Sequence, residues 1–146
     1  MSINAVFRSP QLAVVLALLL WGACDSTPKQ EPPISDIDWR LINAIYNVKY
    51  RKTDLQKEER WKEFKGRKVK WTGEVTSVGD SMFGGLELQV KMNPDTWTSD
   101  LLIELKASQR SRATRLNKGD LVTFTGILDS WGTILPITLK GGEIID

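Results

Sequence analysis

The chain has 146 residues, its formal net charge at pH 7 is +2, and 41% of its residues are hydrophobic. These values are typical of one globular domain with additional segments. The sequence contains no histidine, which excludes Ser-His-Asp and Cys-His catalysis as well as histidine-ligated metal sites. Its single cysteine, Cys24, excludes a disulfide within the chain.

The N-terminal segment contains an uncharged apolar run at residues 12–23. A helix needs about 20 residues to cross a bilayer, whereas this run of about 12 has the length of a signal peptide's hydrophobic region. Gly22 and Ala23 end the run, and Cys24 follows directly. The arrangement resembles the lipobox of bacterial lipoproteins, with Trp21 at a position where that family usually has an aliphatic residue.

This resemblance implies a lipoprotein signal peptide at residues 1–23 and acylation of Cys24, for example with palmitate. Asp25 resembles the sorting signal that retains lipoproteins of enteric-type bacteria in the inner membrane. The implied location is the bacterial cell envelope, facing the periplasm, with a lipid anchor strong enough for stable attachment. The alternative is an ordinary cleaved signal peptide that happens to be followed by a cysteine.

A flexible tether and a first helix are predicted after the cysteine. Residues 24–34 contain three prolines and no aromatic residue, which favours an extended, solvated chain. Residues 35–65 are predicted as a helical lead-in to the remaining domain. Its first helix starts at the capping pattern of Ser35 and Asp38, and apolar residues at positions 37, 41, 45 and 48 predict its buried face.

The second predicted helix covers residues 54–65. Thr53 and Gln56 form a capping-box pattern at its start, and Gly66 is placed to end it. Its apolar residues do not define one face, and its many charges are predicted to be solvated, with pairs such as Glu58 and Lys62.

Residues 66–146 are predicted to form five strands, because the hydrophobic period changes to two at Arg67. In the first strand, Val69, Trp71 and Val75 fall on one apolar face. The other strands are predicted at residues 86–92, 101–106, 121–128 and 134–140, with a short helix or irregular crossover between the third and fourth. Pro136 indicates that the last strand lies at an edge or is interrupted.

Two segments share one pattern: KGRKVKWTGEV at residues 65–75 and KGDLVTFTGIL at residues 118–128. We call them the twin segments and predict that they are two strands of one barrel, with Gly73 and Gly126 where each strand bends. Five strands with a helical connection after the third outline an OB-fold, a five-stranded Greek-key barrel. An SH3-like barrel is the competing fold.

The motifs GRKVKWTGEV and KGDLVTFTG resemble the tRNA-anticodon-like OB-fold family of bacterial envelope proteins. The resemblance covers the predicted barrel at residues 66–146, more than half of the chain. These motifs are structural, so the resemblance implies a fold and transfers no catalytic residue.

OB-folds typically bind ligands on the second and third strands, between the first-to-second and fourth-to-fifth loops. These loops carry Phe83 and Trp131, which either stack against a ligand or simply cover the ends of the barrel. A basic groove for an anionic ligand would be supplied by Lys68, Lys70 and Lys91. Glu87 and Glu104 in the same strands count against nucleic acid.

No calcium loop, phosphate-binding loop or catalytic constellation is found in the sequence. We therefore expect a protein without enzymatic activity, metal or cofactor. The leading hypothesis is a lipid-anchored envelope protein whose OB-fold is a binding or scaffolding module for a protein or an envelope glycan. The alternative is an OB-type protein that binds single-stranded nucleic acid or another anionic ligand.

Overall fold

The structure is a computed structural model that describes residues 28–47, 49, 51–82, 84–132 and 136–145. Its elements, in chain order, are α1 (Trp39–Tyr46), α2 (Asp54–Phe64), β1 (Lys68–Asp80), β2 (Leu86–Lys91), β3 (Leu101–Leu105), α3 (Arg110–Ala113), β4 (Leu121–Ser130) and β5 (Ile137–Ile145). A 3-10 turn at Ala107–Gln109 leads into α3. Within these described ranges, no helix has both the length and the apolar character needed to cross a bilayer.

The five strands close into one barrel in the spatial order β1-β2-β3-β5-β4. Neighbouring strands are antiparallel, except that β3 and β5 are parallel. The chain passes from β3 through α3 to β4, which returns to pair with β1 and thereby closes the barrel. This is the connectivity of an OB-fold, and it confirms the predicted mainly-β fold with N-terminal helices.

The twin segments are antiparallel neighbours at the junction of β1 and β4. The N–H of Gly66 donates to the Leu128 carbonyl at 2.8 Å, and the N–H of Gly119 donates to the Val75 carbonyl at 2.8 Å. Both glycines have positive φ, 81° and 93°, which glycine adopts without a steric penalty. The similarity in sequence thus corresponds to a local two-fold arrangement, in which the turn before each strand closes the end of the other.

The predicted inner face of β1 is confirmed. Val69 and Val75 are buried, and Trp71 is 7% exposed and lies opposite Phe124 of β4. The Nε1–H of Trp71 donates to the Ile37 carbonyl at 2.8 Å, which satisfies its one polar group inside the core. Trp71 therefore belongs to the core, as the alternation along the strand predicts.

Three inward-facing glycines leave room for side chains from neighbouring strands. A Cβ on Gly73 would lie 2.3 Å from Val90 Cγ1, and one on Gly142 would lie 2.4 Å from Ile103 Cγ2. At Gly126 the nearest atoms belong to Leu139, at 3.0 Å. The register of β4 against β5 shifts around Gly126, whereas the shift in β1 falls between Val75 and Ser77, beyond Gly73. Gly73 therefore serves close packing, and the bend of β1 follows it.

The structure corrects the start and the buried face of α1. The N-cap is Asp38, whose side chain accepts from the Arg40 N–H, whereas the N–H and hydroxyl of Ser35 both donate to the Lys68 carbonyl. Ile42 and Ile45 are buried, but Leu41, which the 37-41-45-48 spacing placed on the same face, is 43% exposed. The packing of Trp39 against Trp71, with ring centroids 5.7 Å apart, determines which side of α1 faces inward.

Helix α2 has the predicted capping box, with both hydrogen bonds between Thr53 and Gln56 present. Its buried side chains are Lys57, Trp61 and Phe64, which the sequence did not resolve into one face. Its ion pairs have i,i+3 spacing, including Glu59 with Lys62, in place of the predicted Glu58 and Lys62 pair.

The helices and the barrel share one hydrophobic core, which includes Ile42, Ile45, Trp61 and Phe64 together with the inward residues of the strands. The indole N–H of Trp61 donates to the Asp129 carbonyl on β4 at 3.2 Å. One compact unit accordingly extends from Glu31 to Asp146.

Strand β5 begins after Pro136 and continues to Ile145, five residues beyond the predicted end at residue 140. Residues 134 and 135 of the predicted strand lie outside the described residues. The strand continues through Gly141 and Gly142, and the missing side chain of Gly142 allows close packing against Ile103 of β3.

Candidate ligand-binding surfaces

The usual ligand face of an OB-fold is formed here by the outward side chains of β2 and β3. Glu87 lies opposite Glu104 in register, so two carboxylates are neighbours across the strands. Gln89 donates to the Glu87 carboxylate at 2.9 Å, and Lys91 Nζ lies 3.2 Å from the carboxylate of Glu74 on β1. Three acids and one paired lysine thus lie along this part of the face, which disfavours a polyanionic ligand.

The three lysines proposed for an anionic ligand do not form one basic patch. Lys68 Nζ is 2.6 Å from the Glu31 carboxylate, and Lys91 is paired with Glu74. Lys70 is exposed on the outer face of β1, and no ion pair reaches it from the described residues. The structure therefore places Lys68 and Lys70 two positions apart on β1, and Lys91 farther along the same sheet with its charge compensated.

Trp131 packs against the helices and does not stand free beside the barrel. Its ring centroid is 5.2 Å from that of Tyr46, and Lys57 Nζ lies 5.7 Å from the centre of the ring. Burial in this cluster raises the pKa of Tyr46 to about 12. Phe83, its predicted counterpart in the first loop, lies outside the described residues.

The arginines of α3 contact the barrel. The Arg110 guanidinium is bonded to Asp80 at the end of β1, and it holds the pKa of that carboxyl below its ordinary range. Arg112 donates to the Ile144 carbonyl on β5 at 2.7 Å. These two side chains therefore fasten α3 to the barrel.

The C-terminal part of the predicted tether lies against β1. Ile34 forms a parallel bridge with Lys68, and the Glu31 carboxylate is bonded to both Lys68 and Lys106. Lys106 is also bonded to Glu143 on β5. Hydrogen bonds from Lys106 and Lys68 lower the pKa of Glu31 to about 2. The predicted lipidation site, Cys24, and the sorting residue, Asp25, lie outside the described residues.

An open cleft of about 550 Å³ lies between the segment before α1 and the edge of β1. Trp39 and Trp71 form its apolar wall together with Met92, which follows β2. The Nε1–H of Trp39 is buried and has no hydrogen-bond partner among the described residues. Charged groups of both signs border the opening, from Asp36, Asp38, Arg40 and Lys70.

The sequence did not indicate this cleft, because its walls come from residues more than 30 positions apart. Trp39 has the spacing of an ordinary helix residue, and Trp71 that of an ordinary strand residue. The two walls are held together by the bridge between Ile34 and Lys68, the hydrogen bond from Trp71 to the Ile37 carbonyl and the packing of Trp39 on Trp71, none of which has a recognisable sequence pattern. Within the described ranges, no group of three acidic or cysteine side chains is placed to bind a metal ion.

Neither a protein-family model nor the sequence of a curated protein matches the chain. Solved structures that are similar to this chain include the following two. One is a lipoprotein from Klebsiella pneumoniae that is proposed to bind nucleic acid, with 16% identity, a TM-score of 0.48, and coverage of 60% of this chain and 77% of that one. The other is the mitochondrial single-stranded DNA-binding protein of S. cerevisiae, with 17% identity, a TM-score of 0.33, and coverage of 53% and 92%. At these values the likenesses do not decide what this chain binds.

Proposed function

We propose that this chain is a lipid-anchored protein of the bacterial envelope, and that its OB-fold is a non-enzymatic binding or scaffolding module for a protein or glycan partner. The barrel supplies the module. The lipobox-like residues around Cys24 support attachment to the membrane, and Asp25 supports retention at the inner membrane, facing the periplasm.

The charge of the usual ligand face is the main reason to favour a protein or glycan partner over single-stranded nucleic acid. Binding of single strands generally needs a basic groove with exposed aromatic residues. Here Glu87 and Glu104 are neighbours on that face, and Lys91 is neutralised by Glu74. Trp131 is half-buried and packs against Tyr46 and Lys57, so only part of its ring is open for stacking. A protein or glycan partner suits this surface better than a phosphate backbone.

Tryptophan fluorescence of the purified mature chain tests this choice. Titration with oligothymidylate at low salt is expected to leave the emission unchanged. Quenching that weakens steeply as salt is added would overturn the proposal in favour of single-stranded nucleic acid, because phosphate contacts release counterions. Acidic polypeptides of matched length serve as the control for binding by charge alone.

The membrane attachment is tested separately in cells. Replacement of Cys24 by serine is expected to release the protein from the membrane fraction and to remove the mobility shift caused by acylation. Asp25→Ser should keep the acyl chains and move the protein from the inner to the outer membrane fraction. Membrane retention of Cys24→Ser with unchanged mobility would contradict the lipid anchor, and inner-membrane retention of Asp25→Ser would contradict the sorting role.

A further inference from the structure

The edge of β1 that faces the cleft has main-chain groups without a partner. Pairing between β1 and β4 keeps one register from Lys68 to Glu74. At its ends, the Arg67 carbonyl accepts from Leu128 and the Val75 N–H donates to Asp120. Since antiparallel pairs alternate, the odd-numbered residues of β1 turn their N–H and C=O groups toward β4, and the even-numbered residues turn theirs to the opposite edge.

Only part of that opposite edge is occupied. The Lys68 carbonyl accepts from the Ser35 N–H at 2.7 Å, and Glu74 is the first residue of β1 that pairs with β2. Between them, no described residue bonds to the N–H or C=O of Lys70 and Thr72 on this side. Two donors and two acceptors are therefore open on the edge of β1 away from β4, at residues that line the cleft, in the alternating pattern that an extended chain can match.

The cleft adds side-chain contacts beside this open edge. Trp39 and Met92 offer an apolar wall next to the strand, and the buried Nε1–H of Trp39 is a further unpaired donor. The bordering charges are balanced, with Asp36 and Asp38 against Arg40 and Lys70. The occupant is thus selected by main-chain hydrogen bonds and one apolar side chain, and not by net charge.

We propose that the cleft binds a short extended peptide segment of a partner protein, which pairs with Lys70 and Thr72 as an added strand. The chain's own residues already use this edge in the same way, since Ile34 forms a parallel bridge with Lys68. The stretch of β1 between Lys68, which bonds Ser35, and Glu74, where pairing with β2 begins, has the length for a partner strand of about three to four residues at ~3.3 Å each. This inference rests on the proposed function, and it specifies the protein partner and where it docks.

Hydrogen exchange of the free, full-length mature chain tests the open edge. The amides of Lys70 and Thr72 are expected to exchange much faster than those of Trp71 and Gly73, which face β4. Equal protection of all four amides would overturn the inference, because the edge would then be closed. This measurement is independent of any partner and of the proposed function.

A displayed library of random heptapeptides then tests the occupant. An added strand bonds to β1 through every second residue. N-methylation of a residue that bonds to β1 is therefore expected to lower the peptide's affinity about tenfold, and N-methylation of the residues between is expected to change it little. Thr72→Pro, which removes the N–H in the cleft, should weaken binding at least as much. The matched variant Thr72→Val keeps that N–H and removes only the hydroxyl bonded to Thr123, so its binding should stay within about twofold.

The outcomes distinguish the inference from the function on which it rests. Strand addition would be overturned if N-methylation lowered the affinity equally at every position of the peptide, or if Thr72→Pro and Thr72→Val weakened binding equally. Either result would still be compatible with a protein partner. Selected peptides that protect amides near Glu104 but not Lys70 would move the docking site to the β2–β3 face. If Thr72→Pro does not fold, the N-methylated peptides against the unchanged chain decide the question. If no peptide is selected and oligothymidylate quenches the fluorescence in a salt-sensitive manner, both the strand addition and the proposed function are contradicted.

Discussion

At the scale of single residues, several glycines in this barrel lie where a larger side chain would collide with a neighbouring atom. Gly73 is the strictest described case in β1, because an added Cβ would lie 2.3 Å from Val90 Cγ1 and 2.7 Å from Met92 Sδ. Gly79, in the same strand, has no atom within 4 Å of that point. A comparison of alanine substitutions at Gly73 and Gly79 therefore distinguishes the effect of a steric clash from the effect of losing a glycine.

We expect Gly73→Ala to lower the free energy of unfolding by about 1–3 kcal/mol, as overpacked cores do. Gly79→Ala should change it by no more than about 0.5 kcal/mol, because the site is exposed and open. Urea denaturation of both variants measures the difference. Equal stabilities would show that the barrel adjusts around Gly73 and that the close approach to Val90 does not restrict it.

At the scale of elements, the alternation along β1 predicted its buried face correctly, because the barrel interior admits only every second side chain. The face of α1 was not predictable in the same way. Its apolar residues fit two overlapping helical faces, and contact with Trp71 selects the one with Trp39, Ile42 and Ile45. The cleft depends on contacts of residues 34–39 with β1, and contacts between segments so far apart leave no local pattern in a sequence.

The segment at Glu31 gives a prediction for pH. Its pKa is lowered to about 2 by Lys106 and Lys68, so its contribution to stability is present above the ordinary range of a glutamate, near 4.5, and is lost as pH falls toward 2. The bonds to Glu143 and Glu31 raise the pKa of Lys106. The contribution of Lys106 to stability is therefore lost only as pH rises beyond the ordinary range of a lysine. We expect a small effect, because the pairs are partly exposed.

Thermal unfolding of Glu31→Gln across pH tests this expectation. The variant should melt below the unchanged protein at pH 7, and the difference should shrink as pH falls from about 4.5 toward 2. Glu58→Gln, an exposed change on α2, is the control and should show no difference at pH 7. A difference for Glu31→Gln that does not vary with pH would indicate that the ion pairs are not its source.

At the scale of the whole molecule, the helices and the barrel are expected to unfold together. Deletion of residues 1–65 removes Ile42, Ile45, Trp61 and Phe64 from the shared core, each worth about 1.5–3 kcal/mol of burial. That sum is comparable to the total stability of a domain, which is about 5–15 kcal/mol. The remaining barrel should therefore lack a cooperative transition.

Calorimetry compares this deletion with a matched one. Removal of residues 1–30 leaves the compact unit from Glu31 to Asp146 and should keep a single cooperative transition. A cooperative transition for residues 66–146 alone would show that the barrel does not need the helices, contrary to the packing of Trp61 and Phe64.

The pairing of the twin segments has a consequence for the order of folding. Residues paired between β1 and β4 are 47 to 59 positions apart along the chain, whereas the end of β1 meets β2 only six positions away. Closing the longer loop costs about 2 kcal/mol more in chain entropy, since each doubling of loop length adds about 0.6 kcal/mol. The meander of β1, β2 and β3 should thus form before the barrel closes. Until the barrel closes, the twin segments in β1 and β4 are both unpaired. A twin segment of one chain can then pair with that of another partly folded chain in place of its own partner. Refolding yield should therefore fall as protein concentration rises.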